Sequence, residues 1–316
     1  MNFNSNIDLK QLRYFVAVID AGSISKASRL CNIAQPALSK RIANLEFGLK
    51  VTLLHRGPGG IQATEQGMLL YQAAQRVLRD MEHVIDQVHA ADENPTGEVR
   101  VGCLHSLTRL LAPPLAIKVS NDYPNVRLSV GAGQTKDIYR SLIDGLIDVG
   151  IMVFDEEADN LDIDMRLDEE LFIVAGPTLP GLPEQECIDR AVLADIPFIF
   201  PTAKTFASGQ YTIDFFRRHG IELNVVAEID GDAIKILMAS GYGACILPES
   251  FVAGNVESGS LCLKRLKDMP LSRTIVLCVA EGRPRTLAAR AIAHELQQII
   301  LDKIESGEWK HAALCA

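Results

Sequence analysis

Residues 33–46 read IAQPALSKRIANLE, and one face of that run is built from groups that hydrogen-bond. Leu38, Ile42 and Leu45 fall on a helical stripe. That leaves Gln35, Ser39, Lys40 and Asn44 pointing away from it, with small Ala43 between them and Arg41 at the flank. Pro36 suits the first turn of a helix, where its missing N–H costs nothing. An amide, a hydroxyl and an ammonium on one exposed face are the groups that read base edges. Gln can pair bidentately with adenine, Lys with guanine O6 and N7, and Ser with bases or phosphate. The same face is also what the solvated side of a small helical bundle looks like. The neighbouring elements have to decide.

They are two helices before the run and a hairpin after it. Leu9, Leu12, Phe15, Val16 and Ile19 repeat at three- and four-residue steps up to Gly22, and Ser23 caps a second, short helix with Ala27 and Leu30 turned inward. Asn32-Ile33-Ala34 makes the turn into the third helix. Two short helices joined by a tight turn, the second carrying the polar face, have the form of a helix-turn-helix. Val51–Leu54 and Ile61–Thr64 then read as strands around the turn-rich tip His55-Arg56-Gly57-Pro58-Gly59-Gly60. This is a wing, with Arg56 placed to reach phosphate or the minor groove.

Charge follows the same division. Of the 316 residues, 31 are Lys or Arg and 40 Asp or Glu, yet residues 1–67 carry a net charge of +4 and the remainder −13. A basic first fifth on an acidic body suits a short segment that meets a polyanion. Hydrophobic residues at 48% and charged residues at 22% describe an ordinary globular protein. No apolar run reaches the ~18 residues of a membrane span, and the N-terminus lacks a signal-peptide pattern, so a cytoplasmic protein without membrane contact is expected. The seven scattered cysteines contain no Cys-x-x-Cys pair; they are expected to be small buried hydrophobes, with neither a disulfide framework nor a metal site.

From Thr64 to about Asp92 the chain has no proline. Leu70, Ala74, Val77, Met81, Val84 and Val88 step by 4, 3, 4, 3 and 4, an a/d seam of the kind that pairs two helices. Leu78 and Ile85 widen it. A homodimer through this linker helix is expected, since two heads on one coil read a two-fold site.

The stretch LRYFVAVIDAGSISKASRLCNIAQPALSKRIANLEFGLKVTLLHRGPGGIQATEQG resembles the winged helix-turn-helix of the LysR-type bacterial transcriptional regulators, and the likeness continues along the whole chain in the same domain order. EIDGDAIKILMASGYGACILPES (228–250) resembles in particular the nitrogen-assimilation-control branch. The resemblance implies an α/β protein with an N-terminal winged helix-turn-helix, a long coiled-coil linker helix and a C-terminal two-lobed α/β effector domain like the periplasmic binding proteins. The expected boundaries are 1–66 for the DNA-binding domain, 64–92 for the linker helix, 97–167 plus 269–305 for one lobe and 168–268 for the other. It also implies a homotetramer, promoter DNA met by Gln35, Pro36, Ser39, Lys40, Arg41, Asn44 and Arg56, and RNA polymerase as a partner if the protein activates. Two departures stand out. Pro58-Gly59-Gly60 replaces a further basic residue of the usual wing, and Ala63-Thr64 replaces the usual Leu-Thr.

After Glu93–Gly97, which breaks the long helix, strands alternate with helices over short loops, as in βαβ units with a mostly parallel sheet. Crossings between the lobes are expected around 162–168 and 262–268. Ligands of such folds bind where strand ends meet helix N-termini. Three loops have that chemistry: His105-Ser106-Leu107-Thr108, Gly133-Gln134-Thr135, and Phe200-Pro201-Thr202 with Thr205-Phe206. The resemblance carries effector contacts to His105, Ser106, Thr135, Thr202 and Phe206, and Thr108 shares the first loop. A small organic anion is the expected effector, although Ser and Thr are also the ordinary helix caps. Some relatives that bind aromatic-derived dicarboxylates have Arg where this chain has Val153, so the resemblance does not extend to a dicarboxylate effector. Lys136, Lys204 and Arg109 are candidate cations in its stead, which the sequence does not place.

No catalytic constellation appears: there is no Gly-x-Gly-x-x-Gly after a strand, no Walker loop, no His-Glu-x-x-His and no Gly-x-Ser-x-Gly. Neither an enzyme nor a cofactor is expected. Asp155-Glu156-Glu157 and Asp168-Glu169-Glu170 read as solvated loop and strand-edge charges. Three alternatives stay open: a regulator controlled by its own abundance, a thiol-based redox regulator, and a solute-binding module.

Overall fold

The computed structural model describes residues 7–57, 60–89, 94–154, 158–201, 207–229 and 231–315, with backbone only at 83, 86–89 and 207–211. The chain divides into two compact units near Asn94–Pro95.

The first unit opens with α1 (Leu9–Ala21). Its start is fixed by a capping box in which Asp8 and Gln11 satisfy each other's backbone amides. Gly22, at φ +60°, ends it in the left-handed conformation. Ser23 caps α2 (Ile24–Leu30), and α3 (Gln35–Leu49) follows across the turn at Asn32. Leu38, Ile42 and Leu45 are buried with Phe15, Val18 and Ala27, so the stripe read from sequence is the core of this head.

The hairpin of β1 (Leu54–Gly57) and β2 (Gly60–Ala63) starts three residues later than Val51. The Glu46 carboxylate accepts the amides of Leu53 and Leu54 at 2.8 and 3.1 Å, and the Leu53 carbonyl accepts Thr64 N–H. Residues 51–53 are thus tied to helix ends and are not free to join a ladder. Thr64 caps α4 (Glu65–His89) through Gly67 N–H at 2.9 Å while donating to the Thr52 carbonyl.

The seam of α4 divides. Leu70 and Tyr71 pack on the head core, and Ala74, one turn further along that face, is 1% exposed. Leu70 is thus partly occupied by the head core and Ala74 is buried within the chain, so these two of the six seam positions are engaged inside the protein. The cause is geometric: three short helices leave one side of their core open, and α4 lies over α1 to close it. Val77, Met81 and Val84 remain 39–49% exposed, with Leu69 and Ile85 exposed beside them. The Val88 side chain lies outside the described residues.

The second unit carries β3 (Gly97–Leu104), α5 (His105–Asp122), β4 (Val126–Gly133), α6 (Thr135–Ile143), β5 (Val149–Val153) and β6 (Leu161–Ala175). Then come β7 (Cys187–Ile188), β8 (Pro197–Phe200), α7 (Ala207–Arg218), β9 (Asn224–Glu228), α8 (Ala233–Ala239), β10 (Cys245–Pro248) and α9 (Glu249–Glu257). β11 (Cys262–Leu266), β12 (Leu271–Ala280), α10 (Leu287–Glu305) and β13 (Ala312–Leu314) complete it. The main sheet runs β4-β3-β5-β12-β6-β11-β7, with β10 and β13 also on β6. β3 is parallel to β4 and β5, and β12 is antiparallel to β5 and β6.

Two cores result. Leu167 of β6 and Ile275 of β12 belong to the first, with Val101, Leu107, Ile151 and Ile292; Phe172 and Leu271 belong to the second, with Phe198, Phe216 and Met238. The first crossing falls near the expected segment. The second falls at 271–275, later than the expected 262–268, because β11 stays in the second lobe against the end of β6. The chain turns at Asp268 (φ +61°) before it returns along β12. α10 does not close the structure: Trp309 is buried in the first core and β13 adds a short strand.

Gly67 is where sequence and packing meet most tightly, since a Cβ there would lie 2.0 Å from the Leu53 carbonyl oxygen. Gly67→Ala should lower stability by about 1–3 kcal/mol by forcing α4 away from the wing. Urea unfolding with an unchanged midpoint would contradict this close approach.

Candidate nucleic-acid interface and effector cleft

Gln35, Pro36, Lys40 and Asn44 are exposed on α3, and Ser39 is half-buried between them. The helix starts at Ala34 without a side-chain cap, so its first backbone N–H groups are left for an outside acceptor such as phosphate. Arg56 of the wing reaches Ser39, Nη1 donating to Oγ at 3.5 Å. Wing and recognition helix thus form one continuous surface. Arg41 is half-buried, its guanidinium 5.5 Å from the Tyr14 ring. It is held partly by the head itself and is less free than its neighbours.

The expected cleft residues meet a different fate. Ser106 Oγ accepts Arg273 Nη2 at 2.8 Å. Thr108 donates to the Leu104 carbonyl at 3.0 Å, a bond within α5 and its cap. Thr135 accepts Val153 N–H at 3.2 Å, tying the start of α6 to the end of β5. His105 is exposed at the first position of α5. Thr202, Thr205 and Phe206 lie outside the described residues, as does Lys204. Of the other cations, Lys136 is exposed on α6, and the Arg109 guanidinium lies over Gly254 of α9.

Between α5 and α9 stands a cluster that local sequence did not reveal. Glu169 is 1% exposed, which corrects the reading of that residue as solvated, while Asp168 is exposed as expected and Glu170 is half-buried; Asp155-Glu156-Glu157 lies outside the described residues. Its Oε2 accepts Arg273 Nε and Nη2 at 2.9 and 2.6 Å; its Oε1 accepts Ser250 Oγ at 2.5 Å and Trp309 Nε1 at 2.8 Å. Glu170 pairs with Arg265 and Asp168 accepts Thr274 Oγ1. The partners lie from 81 to 140 residues away from Glu169, so no window of sequence contains them. The one available signal was the position of the acidic run, directly before the apolar stretch LFIVA of the same strand.

A model of the LysR substrate binding domain matches residues 92–299, and one of the lysR-family bacterial regulatory helix-turn-helix protein matches 9–68. The chain belongs to the LysR family. It is a LysR-type DNA-binding transcriptional regulator with an effector-binding domain. The nitrogen assimilation regulatory protein nac of Klebsiella aerogenes is 25% identical over 296 residues, 93% of this chain and 95% of that protein. The regulator BenM of Acinetobacter baylyi is 27% identical over 253 residues, 77% and 81% of the two chains. In fold, the LysR chain is similar to full-length CbnR complexed with its target DNA, with a TM-score of 0.67 and 21% identity over 93% of this chain and 100% of that one. Among the described residues no helix is long and apolar enough to cross a membrane.

The thiols bear on the redox alternative. Cys103, Cys245 and Cys278 are buried in strands, as the sequence suggested, and burial pushes each thiol from 9.0 up to about 12. Thiols held neutral are poor nucleophiles. Cys187 is exposed. Iodoacetamide at pH 8 should therefore label Cys187 in the native protein and reach Cys103, Cys245 and Cys278 only after unfolding; early labelling of the buried three, read by peptide mass spectrometry, would show that these strands open.

Proposed function

We propose that the protein binds a two-fold promoter site as a dimer, each head laying α3 in the major groove with Arg56 on the adjoining backbone. The observation that carries this reading is the continuous polar surface of Gln35, Pro36, Ser39, Lys40, Arg41, Asn44 and Arg56, joined by the Arg56–Ser39 contact. The charge division supports it: a positive head gains from counterion release on DNA, and a body of net −13 does not. Dimerisation is assigned to Val77, Met81 and Val84 of α4, which stay exposed once Leu70 and Ala74 have been used by the head. A homotetramer is the further assembly the family resemblance suggests. RNA polymerase is the further partner if the protein activates.

For control, the leading reading is a small anionic metabolite in the cleft between the lobes, meeting His105, Ser106, Thr108, Thr135, Thr202 and Phe206. A specific observation favours the second reading, control by abundance without a ligand. The hydroxyls of Ser106, Thr108 and Thr135 are already engaged within the protein, so a ligand would have to displace existing bonds or share them.

Ser39→Ala and Lys40→Ala should each weaken binding to the protein's own promoter region by about 1–3 kcal/mol at fixed salt. In the same anisotropy titration Met81→Glu with Val84→Glu should give a monomer by sedimentation and lose the two-fold site. Unchanged operator affinity in both single variants would refute the α3 assignment. For the cleft, a thermal-shift screen against small organic anions decides between the two modes of control. A ligand at ~100 times its Kd adds about 2.7 kcal/mol and raises the midpoint by several degrees. Silence across the screen with intact operator binding favours control by abundance.

A further inference from the structure

The segment after α10 does more than end the chain. α10 itself is built into the first core through Ile292, Leu296 and Ile300. After the left-handed turn at Gly307 the chain doubles back, Trp309 N–H donating to the Lys303 carbonyl at 2.8 Å. The Trp309 ring is buried in the first core, and its Nε1 donates to Glu169 at 2.8 Å. The next residues then reach the other lobe. Lys310 Nζ lies 3.6 Å from Glu249 Oε1. His311 Nε2 lies 3.0 Å from Glu249 Oε2, charge-paired when protonated but without hydrogen-bond alignment. Its Nδ1 accepts Arg265 Nη2 at 3.3 Å and stands 3.6 Å from Glu170. Its ring meets Phe172 of the second core edge-on at 4.9 Å. The His311 carbonyl accepts Glu170 N–H, and β13 then runs antiparallel to Leu167–Glu169 of β6.

These ten residues therefore span the place where β6 passes from one core to the other. They hold α10 of the first lobe to α9, β6 and β11 of the second. We propose that residues 306–315 are a strap across the hinge, with Glu169 as its fastening. That carboxylate gathers Trp309 from the strap, Ser250 from α9, and Arg273, which in turn holds Ser106 at the start of α5. Any opening of the lobes that separates α5 from α9 has to stretch this set of bonds, so the strap sets how far the lobes move. The proposal does not depend on the identity of an effector or on DNA being bound.

The test is amide hydrogen exchange by mass spectrometry on the full-length protein, comparing Lys310→Ala/His311→Ala with Trp309→Phe. The double variant removes two side chains that are members of neither core, His311 touching the second only at the Phe172 ring edge. The Phe variant keeps most of the ring and removes the Nε1–H donor. In the double variant, peptides covering 166–172 and 250–257 should exchange at least tenfold faster, while 99–104 of β3 keep the wild-type rate. Trp309→Phe should loosen the same two peptides. No change at 250–257 in the double variant would overturn the strap. A uniform rise that includes 99–104 would overturn it too, because the segment would then be part of the general core. Should Trp309→Phe fail to fold, the double variant still decides.

Discussion

A carboxylate that is 1% exposed must be neutralised where it stands, and much of the effector domain is arranged around that requirement. Both lobes hang on β6 and β12, and Glu169 and Arg273 face each other across that ladder. Once the two oxygens have accepted Arg273 twice, Ser250 and Trp309, four segments distant in sequence are fixed to one point. Removing one partner of such a buried pair strands a charge, at a cost of about 3–5 kcal/mol. A pair of this kind is weak evidence for net stability, since an apolar replacement can do as well. What it supplies is geometry: it fixes where the two lobes meet. Ser106 consequently belongs to the hinge before it belongs to any ligand.

A second constraint governs the head. Three short helices around Phe15 and Val18 bury too little apolar surface by themselves, and the first turns of α4 complete that core. Gly67 lets α4 pass within contact of the Leu53 carbonyl, and Leu70, Tyr71 and Ala74 then face inward. The apolar seam of this helix is thus shared between two tasks. Its N-terminal part closes a domain, and the stretch from Val77 onward is left apolar and exposed. One heptad pattern runs through both parts, which is why the pattern alone does not separate them.

Electrostatics and packing work on different length scales here. The positive head and negative body create a field that acts over roughly 8–10 Å at physiological salt, which steers without specifying. Specificity needs groups placed to ångström precision, and these sit on α3, held by the buried Leu38, Ile42 and Leu45 and by the Glu46 clamp on the wing. Arg41, drawn back over Tyr14, shows how placement changes what a charge can do.

Local order was legible in the sequence. The cap at Ser23, the stripe on α3 and the alternation of strands and helices all lie within windows of a few turns, and local physics decides them. The same holds for burial of Cys103, Cys245 and Cys278, whose strands read as continuous apolar runs. What spans many residues was not legible. Glu169, in the middle of an acidic run, looks solvated until Arg273, 104 residues away, and Trp309, 140 residues away, are brought beside it. Leu70 looks like a pure seam position until the head core is laid against it, and the second lobe crossing looks like β11 until the ladder shows that strand ending where it began. In each case the side chain's role is set by its neighbour across the fold, and burial and pairing are properties of the tertiary structure that no single segment carries.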